Sequence, residues 1–289
     1  MSGDVPEFKN VVVVRFSVRE KSFERKFLSN DRAREGWFNF RAELYEASLG
    51  ASLAAQSVRP QAIFLYFDSG DAELVGKYFS RLDFTPIFSG QDHERLMGEQ
   101  VLRQGLSRQV VLSRIDSDDI VERHYFSKIN SVLIEHHLRG TLAQRSMVVC
   151  RSGYRTNFIK MQRVNHVSPP FISQYFSDYS GEGAYFNHTK LSTHDTPQIL
   201  DESAEWLQII HGTNVANKFK PSTTSDWNTR HLDVNESQFG PIQSFDPAWF
   251  QSWSGMVPIE AHRFASDRVP LYGLGAKVRF ALRRLFGQA

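Results

Sequence analysis

Val110-Val111-Leu112-Ser113-Arg114-Ile115-Asp116-Ser117-Asp118-Asp119 is an apolar run that ends in three carboxylates within four residues. A short apolar run closed by a polar turn reads as a strand buried on both faces. Three like charges crowded into such a turn repel one another unless a cation or solvent relieves them. Carboxylate oxygens are hard ligands suited to Mg²⁺ or Mn²⁺, which accept one or two carboxylates and complete their shells with phosphate and water. The same acids also suit the first turn of a following helix. An Asp-x-Asp pair alone does not choose between the two readings.

Working outward from this stretch, the pattern repeats. Val11-Val12-Val13-Val14 and Ala62-Ile63-Phe64-Leu65-Tyr66-Phe67 are two more apolar strands, and Thr85 to Phe88 is a shorter one. Between them lie helical spacings: Trp37, Phe40, Leu44, Ala47, Ala51 and Ala54, then Ala72 to Phe79, then His93 to Leu106. Phe126, Ile129 and Leu133 place a helix after the acidic turn. Alternating strands and helices predict an α/β fold, a mostly parallel sheet flanked by helices. Ligands of such sheets bind beyond the carboxyl ends of the strands. The turn at Asp68-Ser69-Gly70-Asp71 and the turn at Asp116 share that rim.

Composition narrows the function classes. The chain has 289 residues, 34 Lys and Arg against 32 Asp and Glu, and a formal charge of +2, so no broad basic field points to nucleic acid. Hydrophobic residues make up 41%, a globular balance that excludes a wholly disordered chain. Cys150 stands alone, which excludes an intrachain disulfide framework and a four-cysteine zinc site. No apolar run reaches the length of a membrane span, and the first ten residues lack the apolar core of a signal peptide. A cytoplasmic protein is expected.

The second half is less regular. Met147 to Cys150 reads as a strand, 153–167 as a hairpin, and 165–185, rich in Pro, Ser and aromatics, as a long shaped loop. Ala204 to Ile210 is a short helix or strand. Val278, Leu282, Leu285 and Phe286 alternate with Lys277, Arg279, Arg283 and Arg284 in a basic amphipathic tail helix, which suits either packing on the domain or peripheral contact with anionic lipid at the inner membrane face. The divisions expected are residues 1–220 as one domain, 1–125 being its nucleotide-sugar half and 126–220 its acceptor half, and 221–289 as a C-terminal extension.

Ser113-Arg114-Ile115-Asp116-Ser117-Asp118-Asp119 resembles the T-R-L-D-x-D-D signature of a rhamnosyltransferase family, glycosyltransferases of GT-A fold. Arg15-Phe16, Trp37…Arg41…Tyr45 and Ser52…Gln56 are similar to that family's opening segment, and Trp206-Leu207-Gln208-Ile209-Ile210-His211-Gly212-Thr213-Asn214 is similar to its late block. The likeness spans roughly residues 11 to 218; Ser17 departs from it, standing where the family has Asn, and nothing beyond about Pro221 matches. The resemblance implies transfer of a sugar from a dTDP- or UDP-sugar to a glycan or lipid-linked acceptor, with Mn²⁺ or Mg²⁺ as Lewis acid on the departing diphosphate. It implies Asp118 as direct metal ligand, and Asp116 as a contact to the ribose of the nucleotide or to the metal through water. It implies His211 as a ligand reaching the metal or phosphate, and Asp68 as the acid that meets the nucleotide. Arg15 and Arg114 suit phosphate as fork donors.

Inverting transfer needs a group that takes the acceptor's proton. Asp178, Glu182, His188, His194 and Asp195 are candidates, and Glu182, Asp195 and Asp178 are the carboxylates put forward. Phe171, Tyr175, Phe176, Tyr179, Tyr185 and Phe186 cluster around them, as a sugar-stacking wall or as core under a loop. Two other functions compete. An Asp-dependent phosphohydrolase also places Asp-x-Asp after a strand, but near the first strand rather than the fourth. A non-catalytic carbohydrate-binding module does not call for four strand–helix alternations and an acidic rim.

Overall fold

Val11 to Val14 form the middle of β1 (Lys9–Arg15), and all four side chains are sealed from solvent. Branching at Cβ suits a pleated strand covered on both faces, and this strand has cover on both. A computed structural model describes residues 6–18, 31–156, 161–165, 169–184, 191, 194–211 and 239. The expected tail helix, the 220/221 boundary, Tyr185, Phe186 and His188 lie outside the described residues.

The strands and helices of the first half fall where the hydrophobic periods put them: β2 (Ala62–Phe67), α2 (Ala72–Tyr78), β3 (Thr85–Phe88), α3 (His93–Arg103), β4 (Arg108–Asp116) and α4 (Tyr125–Leu138). The first helix is more complex. α1 (Asp31–Tyr45) runs into a π turn, Glu46–Gly50, and then a last helical turn, Ala51–Ala54. The wider turn rotates the buried stripe, so Ser48, Leu49, Ser52 and Leu53 face inward while Ala47, Ala51 and Ala54 do not. This end of the helix also grips the chain after the acidic turn. Gln56 Nε2 donates to the Glu122 carbonyl at 2.7 Å, and the Val121 N–H reaches Ser52 Oγ at 3.4 Å.

The second half supplies β5 (Ile120–Val121), β6 (Arg145–Cys150), β7 (Ser152–Thr156), β8 (Met161–Asn165), β9 (Ile172–Asp178), β10 (Gln198–Asp201) and β11 (Trp206–Ile209). β7 and β8 form the expected antiparallel hairpin. β9 corrects the expectation of a shaped loop across 165–185. Ile172-Ser173-Gln174-Tyr175-Phe176 lacks clean alternation, and Pro169-Pro170 just before it signal a break, so neither strand template matched.

The main sheet has the order β10-β6-β9-β4-β1-β2-β3, and every strand but β9 runs the same way. The architecture is therefore mixed α/β with a mostly parallel central sheet flanked by helices, as the sequence implied. Phe38, Ala42, Tyr45 and Leu49 of the first helix, with Tyr125, Phe126, Ile129 and Leu133 of α4, cover one face. Met97 and Val101 of α3 cover the other. Phe171, Tyr175, Phe176 and Tyr179 are all buried, and Phe171 stacks on Trp206 at 4.6 Å, so these four rings are core rather than a binding wall. A second sheet, β5-β11-β7-β8, carries the acidic turn's far end and β11 together.

The glycine in β7 is dictated by that second sheet. Gly153 is the register partner of Trp206, whose indole lies where a Cβ on Gly153 would stand. Trp206 itself is fully buried and donates from Nε1 to the Cys150 carbonyl at 2.8 Å. Replacing Gly153→Ala should lower the unfolding free energy by about 1–3 kcal/mol through overpacking. The urea midpoint at unchanged slope measures it; an unmoved midpoint would mean the indole yields freely.

Candidate active site

The strand order reverses at β1: β2 and β3 lie on one side of it and β4 on the other. At such a point the crossovers leave in opposite directions and a crevice opens at the carboxyl ends of the two strands. Arg15 and Asp116 are the last residues of β1 and β4 and are register partners there, both half-buried. On the other side of Arg15 its partner is Tyr66. Arg114, two residues before Asp116 and thus on the same face, is also half-buried. The rim expected from sequence is real, and it brings Arg15, Arg114 and Asp116 together.

Beyond β4 the chain turns inward. Asp118 is 5% exposed, and its Oδ2 accepts from Arg41 Nη1 at 2.6 Å. His211 Nε2, from just past β11, lies 2.7 Å from the same oxygen. Arg41 Nη1 is 3.2 Å from that imidazole nitrogen, and Arg41 Nη2 donates to Ser117 Oγ. If the proton is on Nε2, the imidazole donates to Asp118 and its approach to Arg41 is a contact only. Burial by itself would raise the Asp118 carboxyl, but the Arg41 guanidinium and His211 outweigh it and hold the group well below the usual carboxylate range. Phe40 packs edge-on against the His211 ring at 5.6 Å, and Arg41 lies over Trp37 at 5.8 Å.

Asp119 is fully buried; its Oδ1 accepts from the Ile209 N–H at 3.1 Å, while its Oδ2 has no hydrogen-bond partner. Burial, and then the charges of Asp118 and Asp116, push this carboxyl well up. Beside it, Gln208 Oε1 accepts from Arg155 Nε at 2.9 Å. Burial pushes the Arg155 guanidinium down, opposed by the charge of Asp119.

Asp68 follows β2 and serves its turn: Oδ1 accepts from the Gly70 N–H at 3.0 Å and from Arg34 Nη2 at 3.4 Å. Ser17, the departure from the family pattern, ties this turn together. It donates to Asp71 Oδ2 at 2.5 Å and accepts from the Asp68 N–H at 3.3 Å. Arg34 also pairs with Asp71. His93, at the start of α3, was not singled out from sequence; it stacks on Tyr66 at 5.1 Å, and its Nε2 lies 2.6 Å from the Phe67 carbonyl. Arg41, Ser117, Arg155 and Gln208 were likewise not assigned roles. Arg41 and Gln208 sit in the motifs quoted above, but only their burial beside Asp118 and Asp119 marks them.

The three carboxylates put forward as base are placed elsewhere. β9 runs antiparallel to β4, so Asp178 pairs with Arg108 at the amino end of that strand. Glu182 lies near the level of Phe176, which pairs with Val110, about 20 Å along the strand from Asp116 at 3.3 Å per residue. It is held by Arg145 at 2.5 Å and by the Ser180 N–H at 2.8 Å. Asp195 is exposed, two residues before Pro197, whose carbonyl accepts from the Met147 N–H near the start of β6. All three occupy the amino edge of the parallel strands, away from Asp118, because one antiparallel strand carries the chain back across the sheet.

A divalent ion is implied by the family resemblance, and the residue types, a carboxylate beside an imidazole, suit one. The 2.7 Å between Asp118 Oδ2 and His211 Nε2 is a hydrogen bond, and Arg41 Nη1 lies 2.6 Å from the same oxygen, so an ion held by this pair would take the place of the imidazole proton. Among the described residues no three His, Cys, Asp or Glu side chains gather around one point. Two suffice when phosphate and water complete the shell.

No family model matches the chain, and no curated protein sequence matches it. Solved structures similar to it include TarS of S. aureus, at 12% identity and a TM-score of 0.34 over 70% of this chain and 37% of that one. TarS residues 1–349 in complex with UDP gives 13%, a TM-score of 0.35, and 71% and 61% of the two chains. Rv0371C of Mycobacterium tuberculosis H37Rv, in complex with manganese, gives 12%, 0.32, and 69% and 91%. The chain thus spans well under two thirds of full TarS.

Removing the guanidinium should be costly. Arg41→Met leaves the Asp118 charge buried and is expected to cost about 3–5 kcal/mol of stability, read by chemical denaturation; a loss below about 1 kcal/mol would mean that water already compensates Asp118. His93 carries a pH signature. Burial lowers its pKa, the Phe67 carbonyl opposing and Arg15 adding to the effect. Its contribution is therefore present above the unfolded pKa of about 6.5 and lost as pH falls toward the folded value. The melting temperature of the parent should drop across that window more than that of His93→Gln; equal drops would assign the dependence elsewhere.

Proposed function

We propose that this chain is a glycosyltransferase that moves a sugar from a nucleoside-diphosphate donor to an acceptor hydroxyl. The observation that supports it most is the pairing of Arg15 with Asp116 at the switch point, next to the buried Arg41–Asp118–His211 cluster. The switch point is where an α/β sheet binds its ligand, and here it combines fork donors with a carboxylate–imidazole pair. Rhamnose, a dTDP- or UDP-linked donor and a glycan or lipid-linked acceptor are the finer reading that the sequence resemblance adds.

In this reading Arg15 and Arg114 hold the phosphates by charge-assisted hydrogen bonds. Asp118 and His211 would hold Mn²⁺ or Mg²⁺, which when bound would offset charge on the departing diphosphate. Asp116, at the end of β4, is not gathered with that pair. Arg41 keeps Asp118 ionised and aimed; Ser117 and Trp37 fix Arg41 in turn. Asp68 lies at the end of β2 on the same rim, where a ribose or base would pass. Asp178, Glu182 and Asp195 have no part in proton transfer here, given their place at the far edge. The phosphohydrolase alternative is not favoured: the carboxyl two residues after its nucleophile would have to protonate the leaving group, and Asp118 is held ionised by Arg41 and His211.

Titration with UDP and with dTDP, each with and without Mn²⁺, tests the reading. One of them should raise the melting temperature in a Mn²⁺-dependent way. Arg15→Gln should weaken that nucleotide roughly 10- to 100-fold, the worth of a charge-assisted hydrogen bond. No shift with either nucleotide would end the proposal.

A further inference from the structure

The second sheet sets three polar side chains from three chain segments in one row. Gln208 of β11 is the register partner of Arg155 of β7. β11 pairs on its other side with β5, and extending that register by one residue brings Asp119 opposite Gln208. The Ile209 N–H to Asp119 hydrogen bond, 3.1 Å long, shows that the chains do meet there. Gln208 is 2% exposed, and its Oε1 anchors Arg155 Nε at 2.9 Å.

That anchor has a consequence for the guanidinium. The group is planar, so fixing Nε fixes the direction of the edge that carries Nη1 and Nη2. Neither terminal nitrogen has a hydrogen-bond partner among the described residues, and no carboxylate there lies within ion-pair distance of Arg155. Asp119, the nearest acid in the row, leaves its buried Oδ2 unpaired rather than closing on Arg155. The terminal nitrogens of Arg155 are not sealed from solvent, so an incoming anion can reach them. Arg155 is oriented by a buried amide and its bidentate edge is unused, the arrangement of a preorganised anion receptor.

We propose that Arg155 binds a phosphate group of one of the substrates, with Gln208 as the residue that positions it. This rests on the transferase reading for the identity of the substrate, and on the row alone for the anion. The phosphate has two possible sources, the donor's diphosphate and a phosphate carried by the acceptor.

Calorimetry on the full chain separates them. UDP and inorganic pyrophosphate are titrated into the protein, and inorganic phosphate into protein saturated with UDP. If the donor is the source, Arg155→Gln weakens UDP and pyrophosphate roughly 10- to 100-fold. If the acceptor is the source, UDP is unchanged and phosphate binding to the UDP-saturated protein is lost. Arg155→Lys, which keeps the charge without the fork, should give a smaller loss in the same arm, and it carries the comparison if Arg155→Gln does not fold. Gln208→Ala should weaken the same probe less than Arg155→Gln does. Equal binding of all three probes by parent and variants, or no binding of any probe by the parent, overturns the proposal. Arg155-dependent binding of phosphate or pyrophosphate without any UDP binding would leave the receptor standing and remove the transferase reading instead.

Discussion

A carboxylate that is 5% exposed can stay ionised only if a cation is brought to it, and for Asp118 that cation is Arg41. Much of the site follows from this requirement. Arg41 comes from the first helix, Asp118 from the turn after β4, and His211 from the end of β11, 170 residues beyond Arg41. None of the three elements can shift far without stranding a buried charge. The helix end reinforces the closure, since Gln56 and Ser52 hold Glu122 and Val121 just past the acidic turn. Crowding three acids together is thus resolved in two different ways. Asp118 is paired, while Asp119 is buried on a backbone N–H and pushed toward its neutral form.

Topology decides what faces that cluster. Parallel strands present their carboxyl ends on one rim, so the ends of β1, β2 and β4 place Arg15, Asp68 and Asp116 along it. The one antiparallel strand carries the segments next to its end to the opposite edge, and only the later β11 returns the chain to the cluster with His211. Asp178, at the end of β9, and Glu182, a few residues on, emerge at the amino edge, and Asp195 is placed there by the approach to β10. Their chemistry is unremarkable for surface acids: Glu182 is held by Arg145, and Asp178 lies 3.7 Å from Arg108.

Hydrophobic period made the first half readable because each element there is both locally strong and tertiary-consistent. The four valines of β1, the apolar run of β2 and Trp37, Phe40 and Leu44 of α1 pack as their patterns say, while the π turn takes Ala47, Ala51 and Ala54 off the stripe. The acidic turn was legible for a different reason: three carboxylates after a strand have few structural uses. Arg41 was not, because one arginine on a helix reads as a solvated charge until the helix is docked. Nor was Arg155, whose meaning depends on Gln208, 53 residues away, being its neighbour across two strands.

Local sequence determined the order and kind of the early elements, the acidic turn and the rim on which it falls, since these depend on periodicity and on strand direction within a run of strand–helix units. Only the tertiary structure decided the insertion of β9, the end of the sheet reached by the later acids, and the partners that share the charge of Asp118. Strand direction and ion pairing between distant segments are set by which faces bury together, and no local pattern of residues records that.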